Sequence, residues 1–163
     1  MLVKIRPLEI NDAYTSVQWR NDPEVFRYTG TIYLNEIKIE SELEWIRKAI
    51  ENNNAGKDYR CAILDDGKYI GNIYLTDIHD GIATYHIFIG NKDYWGKGVA
   101  KQASLLLLQY AFQQLHLDSV HLRVKKKNIN AYMLYKRIGF NEYGEDEEWV
   151  SMSVDAFEFR EHL

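Results

Sequence analysis

The chain has 163 residues, 46% hydrophobic and 27% charged, which suits one folded domain with a buried core. Its formal net charge of −4 argues against broad binding to nucleic acid or anionic membrane, which needs a basic face. One cysteine, Cys61, precludes an intramolecular disulfide, no Cys/His spacing suits zinc, and no run approaches the about 18 apolar residues of a membrane span.

No signal-like pattern opens the chain, so residues 1–163 are expected to form a single domain in the cytoplasm. Leu2 to Arg6 predicts a first strand, and Asn11 or Asp12 can cap a helix running to Trp19. Residues 24–34 combine aromatics with turn formers and predict a loop. Ile39, Leu43, Ile46 and Ile50 recur at helical spacing, so 35–52 predicts an amphipathic helix ended by Asn52-Asn53-Asn54-Ala55-Gly56. Two strands flank Asp65-Asp66-Gly67, a hairpin signal, and Asp80-Gly81 marks the next turn. Cys61 falls in the first of these strands, where a small buried apolar residue is the natural reading.

Ile82 to Ile89 predicts a strand and Val99 to Leu115 the main helix, with Leu105 to Leu108 apolar enough for burial on more than one side. Val120 to Val124 is a strand, Asn128 to Ile138 a helix stopped by Gly139, and Phe140 to Asp155 one or two closing strands. Strands in succession, then helix, strand and helix, imply an α/β (α+β) mixed sheet with helices on both faces.

The most informative stretch is Asp93-Tyr94-Trp95-Gly96-Lys97-Gly98-Val99-Ala100, between an apolar strand and an apolar helix. Two glycines at a helix mouth let backbone approach a ligand, and the first-turn N–H groups with the helix dipole form an anion site. An ordinary strand-to-helix turn is the competing reading. A P-loop is excluded by the missing Gly-Lys-Ser/Thr, and a Rossmann fingerprint by Lys101 where its third glycine belongs.

With this turn, Asn128-x-x-Ala131-x-x-x-Tyr135 ending in Gly139-Phe140, and Trp19-Arg20-Asn21-Asp22-Pro23-Glu24-Val25, the chain resembles the GNAT N-acetyltransferase superfamily. Within it, the likeness is to the branch named for RimJ and RimL, and it spans nearly the whole chain. The resemblance implies a sheet splayed at an acetyl-CoA site, with no metal. Ile87, Phe88 and Ile89 would border the pantetheine arm, which Asn128 and Ala131 also meet. Trp95, Gly96, Lys97, Gly98, Val99, Ala100 and Lys101 would hold the phosphates. Tyr135 matches the family tyrosine facing the sulfur, where a phenol of pKa about 10 can donate to a leaving thiolate. Core packing is the alternative for it.

The family's glutamate base aligns with Thr84, which cannot serve. Alternation places Thr84, His86 and Phe88 on one strand face, so His86 is the candidate base, against a histidine simply wedged between strands. Arg123-Val124-Lys125-Lys126-Lys127 can meet phosphates or lie solvated at a strand end.

By resemblance the acceptor site lies between the first two helices and the central strands, making Trp19, Arg20, Asn21, Tyr28, Tyr33, Tyr74 and Thr84 its candidate lining. Arg20 can hold a phosphate or carboxylate in a fork, or pair with Asp22 or Glu24. The aromatic richness and the Trp-Arg-Asn start favour a small amine such as an amino sugar. A protein N-terminus or a polyamine is the alternative, the latter drawing on Glu142, Glu145, Asp146, Glu147 and Glu148. A homodimer is compatible with these readings. Thr84 also leaves open a domain that binds acetyl-CoA without turning it over.

Overall fold

The computed structural model describes residues 1–28 and 35–162, with the backbone alone at 161–162. Tyr33 lies outside the described residues. The strands are β1 (Val3–Pro7), β2 (Tyr59–Asp65), β3 (Lys68–His79), β4 (Ile82–Ile89), β5 (Ser119–Lys125), β6 (Asn141–Glu145) and β7 (Trp149–Asp155). They form one sheet in the order β1-β2-β3-β4-β5-β7-β6, antiparallel except for the β4–β5 pair.

Both Asp-Gly hairpins form as predicted. Asp66 and Gly67 have φ of 46° and 83°, and Asp80 and Gly81 have 50° and 77°. Positive φ at both central residues matches the right-handed twist of the flanking strands, and Asp-Gly tolerates it.

The helices are α1 (Ala13–Arg20), α2 (Ile39–Asn54), α3 (Val99–Gln113), α4 (Ile129–Ile138) and α5 (Ala156–His162). Asp12 does not cap α1 with its side chain; it accepts two hydrogen bonds from Arg6, each 2.8 Å long, and one from the Glu9 N–H. The α3 stripe Val99, Ala103, Leu107, Leu108 and Ala111 recurs at helical spacing and is buried. Leu106 stays exposed, so α3 buries one face rather than surrounding itself with core. The segment after Phe140 closes as two strands, and α5 follows them, which the sequence reading did not include.

The sheet divides the interior. On one face, Ile63, Ile73, Leu75, Tyr85, Val120, Leu122 and Met152 pack with α3 and α4 into the main core. On the other, smaller clusters join Leu8, Ala49, Ala62 and Tyr74, and Trp19, Val25 and Phe26, with Tyr69 and Phe88 at their edges. At full burial such side chains contribute about 1.5–3 kcal/mol each.

Candidate active site

β4 and β5 are partners only at Ile82–Ser119, Ala83–Val120 and Thr84–His121. Beyond Thr84, β4 continues to Ile89 beside β3, while β5 continues to Lys125 beside β7. The sheet therefore forks at its one parallel pair, and the β5-facing edge of residues 85–89 leaves the ladder. Unpaired strand edge is a ready partner for an extended ligand arm. Ile87, Phe88 and Ile89 lie on this edge. The Ile89 carbonyl accepts the Trp95 indole N–H at 2.8 Å, which ties the half-exposed Trp95 ring to the end of the fork.

α3 begins next to that end. Gly96 and Gly98 have φ of 74° and 80°, a region other residues rarely enter, and a Cβ at either would meet open space. The glycines are thus required by backbone conformation, and the space above them is clear. The Gln102 N–H bonds Gly98 O, and no side chain caps the helix from Gly98. The N–H groups of Val99, Ala100 and Lys101 are the orphan donors of the first turn, gathered with the positive end of the helix dipole. A diphosphate fits such a cradle. Lys97 and Lys101 are exposed beside it.

The basic run at β5 is largely engaged elsewhere. Arg123 pairs with Asp146 at 2.8 Å, Lys126 with Glu145 at 2.9 Å, and Lys125 lies over the Trp149 ring. Those pairs also occupy part of the acidic cluster, and Glu142 accepts from the Tyr132 hydroxyl. Asn128 caps α4, its Oδ1 accepting the Ala131 N–H at 3.3 Å.

Tyr135 lies on the α3/α4 face, buried against Tyr85 and Phe140. Burial pushes its phenol well above the usual range, partly offset by the neighbouring Tyr85 hydroxyl. It therefore keeps its proton at neutral pH. His86, the next residue after Tyr85, points to the opposite face. The two catalytic candidates thus bracket the fork from either side.

His86 Nε2 lies 3.1 Å from Thr76 Oγ1. The residue is exposed to solvent, yet neighbouring groups partly desolvate its ring, and that effect, followed by the Arg60 charge, lowers its pKa. Asp77 and Asp58 act in the opposite sense. Lowering keeps the imidazole neutral at pH 7, the form that accepts a proton. Thr84 sits at the apex of the fork opposite His121, and the parallel register puts Thr84, His86 and His121 on one face.

His121 was not singled out in the sequence, although the alternation of Ser119 to Val124 held the signal. It contacts Ser119 at 3.0 Å and the Tyr143 hydroxyl at 3.2 Å. Tyr85 and Ser104 were missed as well, since nothing local marks two residues on separate elements as partners.

The predicted acceptor lining divides. Trp19 is buried, packed on Tyr69 and Phe88 and seated so closely on Gly90 that a Cβ there would lie 1.9 Å from its ring. Tyr74 is buried as well; its hydroxyl accepts from Asn72 at 2.7 Å and burial pushes it up to about 12. These two rings are structural here rather than faces open for stacking. Asn21 staples the chain ahead of α2, accepting the Ile37 N–H at 2.7 Å and donating to Ile37 O at 2.9 Å.

Arg20 pairs with neither Asp22 nor Glu24. It lies 2.7 Å from Glu42 Oε2, over the Trp45 ring, and Glu42 also accepts from Ser16 at 2.7 Å. Asp22 and Glu24 instead hold Lys92, at 2.7 and 2.8 Å. Tyr28 is half-buried, with Arg27 over its ring. An open groove runs past this region. One part, of about 340 Å³, is lined by Asp58, Arg60, Asp77 and His79, and the adjoining part by Glu44, Trp45 and Lys48, with Asn52 and Arg60 common to both.

A mixed sheet forked at its parallel pair, with a glycine-led helix N-terminus at the open end, defines a fold that holds an acyl carrier between two strands. Residues 3–141 match the family model described as an acetyltransferase (GNAT) domain, and the chain belongs to that family. It is an acetyl-CoA-dependent N-acetyltransferase acting on a primary amine. It is 31% identical over 145 residues to the spermidine N(1)-acetyltransferase of Escherichia coli K12, covering 88% of this chain and 75% of that one.

Among solved structures, it is similar to spermidine N-acetyltransferase from Vibrio cholerae in complex with CoA and spermine. The TM-score is 0.86 at 24% identity, over 97% of this chain and 98% of that one. It is also similar to apo FdhC, a nucleotide-linked sugar GNAT, with a TM-score of 0.84 at 24% identity over 98% and 89%. The 31% identity makes the spermidine enzymes a stronger likeness than the RimJ/RimL branch that the motifs implied. No described helix is long and apolar enough to cross a membrane.

Proposed function

We propose that the chain acetylates a polyamine of the spermidine class, with Tyr135 as proton donor and His86 as base. The observation that carries the acceptor is the 31% identity to a spermidine enzyme across 88% of the chain. Two structural features support it over an amino sugar. Trp19 and Tyr74, two of the four aromatics expected to line a sugar site, are committed to packing. The groove near His86 carries the Asp77 carboxylate, which suits an ammonium group, beside Asp58, whose carboxylate is paired with Arg60.

Acetyl-CoA, when bound, supplies a thioester carbonyl open to attack by an amine. The N–H groups of Val99, Ala100 and Lys101 hold its diphosphate, and the free edge of Ile87 to Ile89 lines its arm. Neutral His86 takes a proton from the ammonium, leaving the nitrogen lone pair free. Tyr135, kept protonated by burial, donates its phenolic proton to the departing sulfur. Fixing both groups at the fork replaces a chance encounter by an oriented one.

The test is thiol release from acetyl-CoA with spermidine, a nucleotide-linked amino sugar and an N-terminal alanine peptide in parallel. The expected order of kcat/KM places spermidine first. Turnover confined to the sugar or the peptide would reject the polyamine and leave the family assignment intact.

A further inference from the structure

Thr76 and His86 meet across β3 and β4. Register pairs Thr76 with Thr84 and Tyr74 with His86, so Thr76 is the diagonal neighbour of the histidine. Thr76 is 5% exposed, and its Oγ1 lies 3.1 Å from His86 Nε2. Valine would fill the same strand position with no hydroxyl to satisfy. The next residue, Asp77, lies in a bulge with φ of 53°. Its N–H donates to Asp58 Oδ1 at 3.0 Å, while Asp58 Oδ2 accepts from Asn52 at 3.2 Å and Arg60 at 3.0 Å. The chain beside Thr76 is thus anchored to the end of α2 and the start of β2, and the hydroxyl has a fixed place.

Among the described residues, His86 Nδ1 has no hydrogen-bond partner. A neutral imidazole carries one N–H and one lone pair. Thr76 can meet Nε2 in either sense, accepting from Nε2–H or donating to a bare Nε2. The second leaves Nδ1 protonated and gives the one lone pair to Thr76, so nothing is offered to an amine. The first leaves Nδ1 bare and open. It also holds when the ring is charged, because the imidazolium keeps the same Nε2–H.

We propose that Thr76 is a positioning residue for acetyl transfer: it accepts the His86 Nε2–H, fixes that tautomer, and leaves Nδ1 as the atom that takes the amine's proton. The proposal rests on the reading of His86 as base. The ammonium gives one proton to Nδ1, and the freed lone pair bonds the thioester carbon. The carbon–sulfur bond breaks and the sulfur takes its proton from Tyr135. The acylated nitrogen sheds its second proton to solvent, which returns one to the Tyr135 phenol. The Nδ1 proton then leaves to solvent as the net proton released.

A hydroxyl suits this place because it is neutral; a carboxylate there would hold the ring charged and stop it accepting. The charges that act on His86 are Arg60, which opposes protonation, and Asp77 and Asp58, which favour it. Tyr74 and, across Thr84, His121 share its face of the sheet.

The first test needs neither ligand nor substitution at Thr76. Proton–nitrogen correlation by nuclear magnetic resonance, assigned by the signals lost in His86→Gln, reads the tautomer of the neutral ring. A protonated Nε2 beside a bare Nδ1 is expected, and a protonated Nδ1 overturns the proposal. The second test is kinetic. Thr76→Val keeps the shape and removes the hydroxyl, so kcat falls on the order of 10-fold while the KM for acetyl-CoA is unaltered. The bond to Thr76 is stronger from imidazolium than from the neutral ring, so its loss lowers the His86 pKa further. The acidic limb of kcat/KM therefore moves to lower pH in Thr76→Val and returns in Thr76→Ser.

A limb that stays, or moves to higher pH, overturns the proposal, as does a Thr76→Ser that restores nothing. Full turnover by Thr76→Val beside a slow His86→Ala also overturns it and leaves the base standing. Full turnover by His86→Ala removes the base and the role of Thr76 together. If Thr76→Val does not fold, Thr76→Ala is read by the same criteria.

Discussion

The two faces of the sheet bury polar groups of different kinds. Under α3 and α4 the buried polar groups at the site are neutral hydroxyls, those of Tyr135, Tyr85 and Ser104. Under α1 and α2 neutral groups such as Asn72 and Tyr74 are joined by charges held in pairs: Arg20 with Glu42, Arg6 with Asp12, and Arg60 with Asp58. A hydroxyl can exchange donor for acceptor by rotating, at little cost, so the first face can follow a proton. A buried ion pair has one arrangement and loses heavily when broken, so the second face is rigid. In the proposed mechanism the difference has a use: the sulfur needs a proton at the right moment, and the acceptor needs a fixed wall.

Tyr135→Phe carries the largest expected effect. It lowers kcat about 100-fold or more, while the acetyl-CoA affinity measured by calorimetry stays in place. An unaltered kcat would mean that the hydroxyl face is packing only. Glu42→Ala tests the charged face: it leaves Arg20 without its carboxylate and lowers the unfolding free energy by about 3–5 kcal/mol, read from urea denaturation. A loss no larger than that of an exposed pair would show the network to be dispensable.

Gly90→Ala comes next. Its Cβ would sit 1.9 Å from the Trp19 ring, so the indole must shift. The cost is about 1–3 kcal/mol, with a change in tryptophan fluorescence that reports the movement, and an unchanged spectrum would place Trp19 elsewhere. The smallest effect is in pH dependence. His86 accepts a proton only when neutral, and its pKa is lowered from the ordinary histidine value, so kcat/KM falls on the acidic side at a lower pH than an ordinary histidine would give. His86→Ala removes that acidic limb. A limb that survives the substitution moves the base to another group on the same face, with His121 the first to examine.

The cradle was legible because its requirement is local. Gly96 and Gly98 must adopt positive φ, and the helix they open exposes its own N–H groups whatever packs around it. The hairpins at Asp66-Gly67 and Asp80-Gly81 were readable for the same reason. The partner of Arg20 was not: short-range pairing suggested Asp22 or Glu24, whereas the structure brings in Glu42, 22 residues away. The acceptor aromatics failed similarly. Trp19 and Tyr74 looked like lining by position, yet packing against Gly90 and Asn72 absorbs them.

What the sequence by itself determined, then, were the features that a few adjacent residues can enforce: the Asp-Gly turns, the amphipathic stripes, the glycine-led start of α3 and the alternation that puts His86 opposite Tyr85. Only the tertiary structure decided where β4 parts from β5, that Arg20 is spent on Glu42, and that Tyr85 meets both the Tyr135 ring and the Ser104 hydroxyl. Each of these joins groups on different elements. Their meeting depends on register and helix placement, which are fixed by burial of the whole core and not by any short stretch of chain.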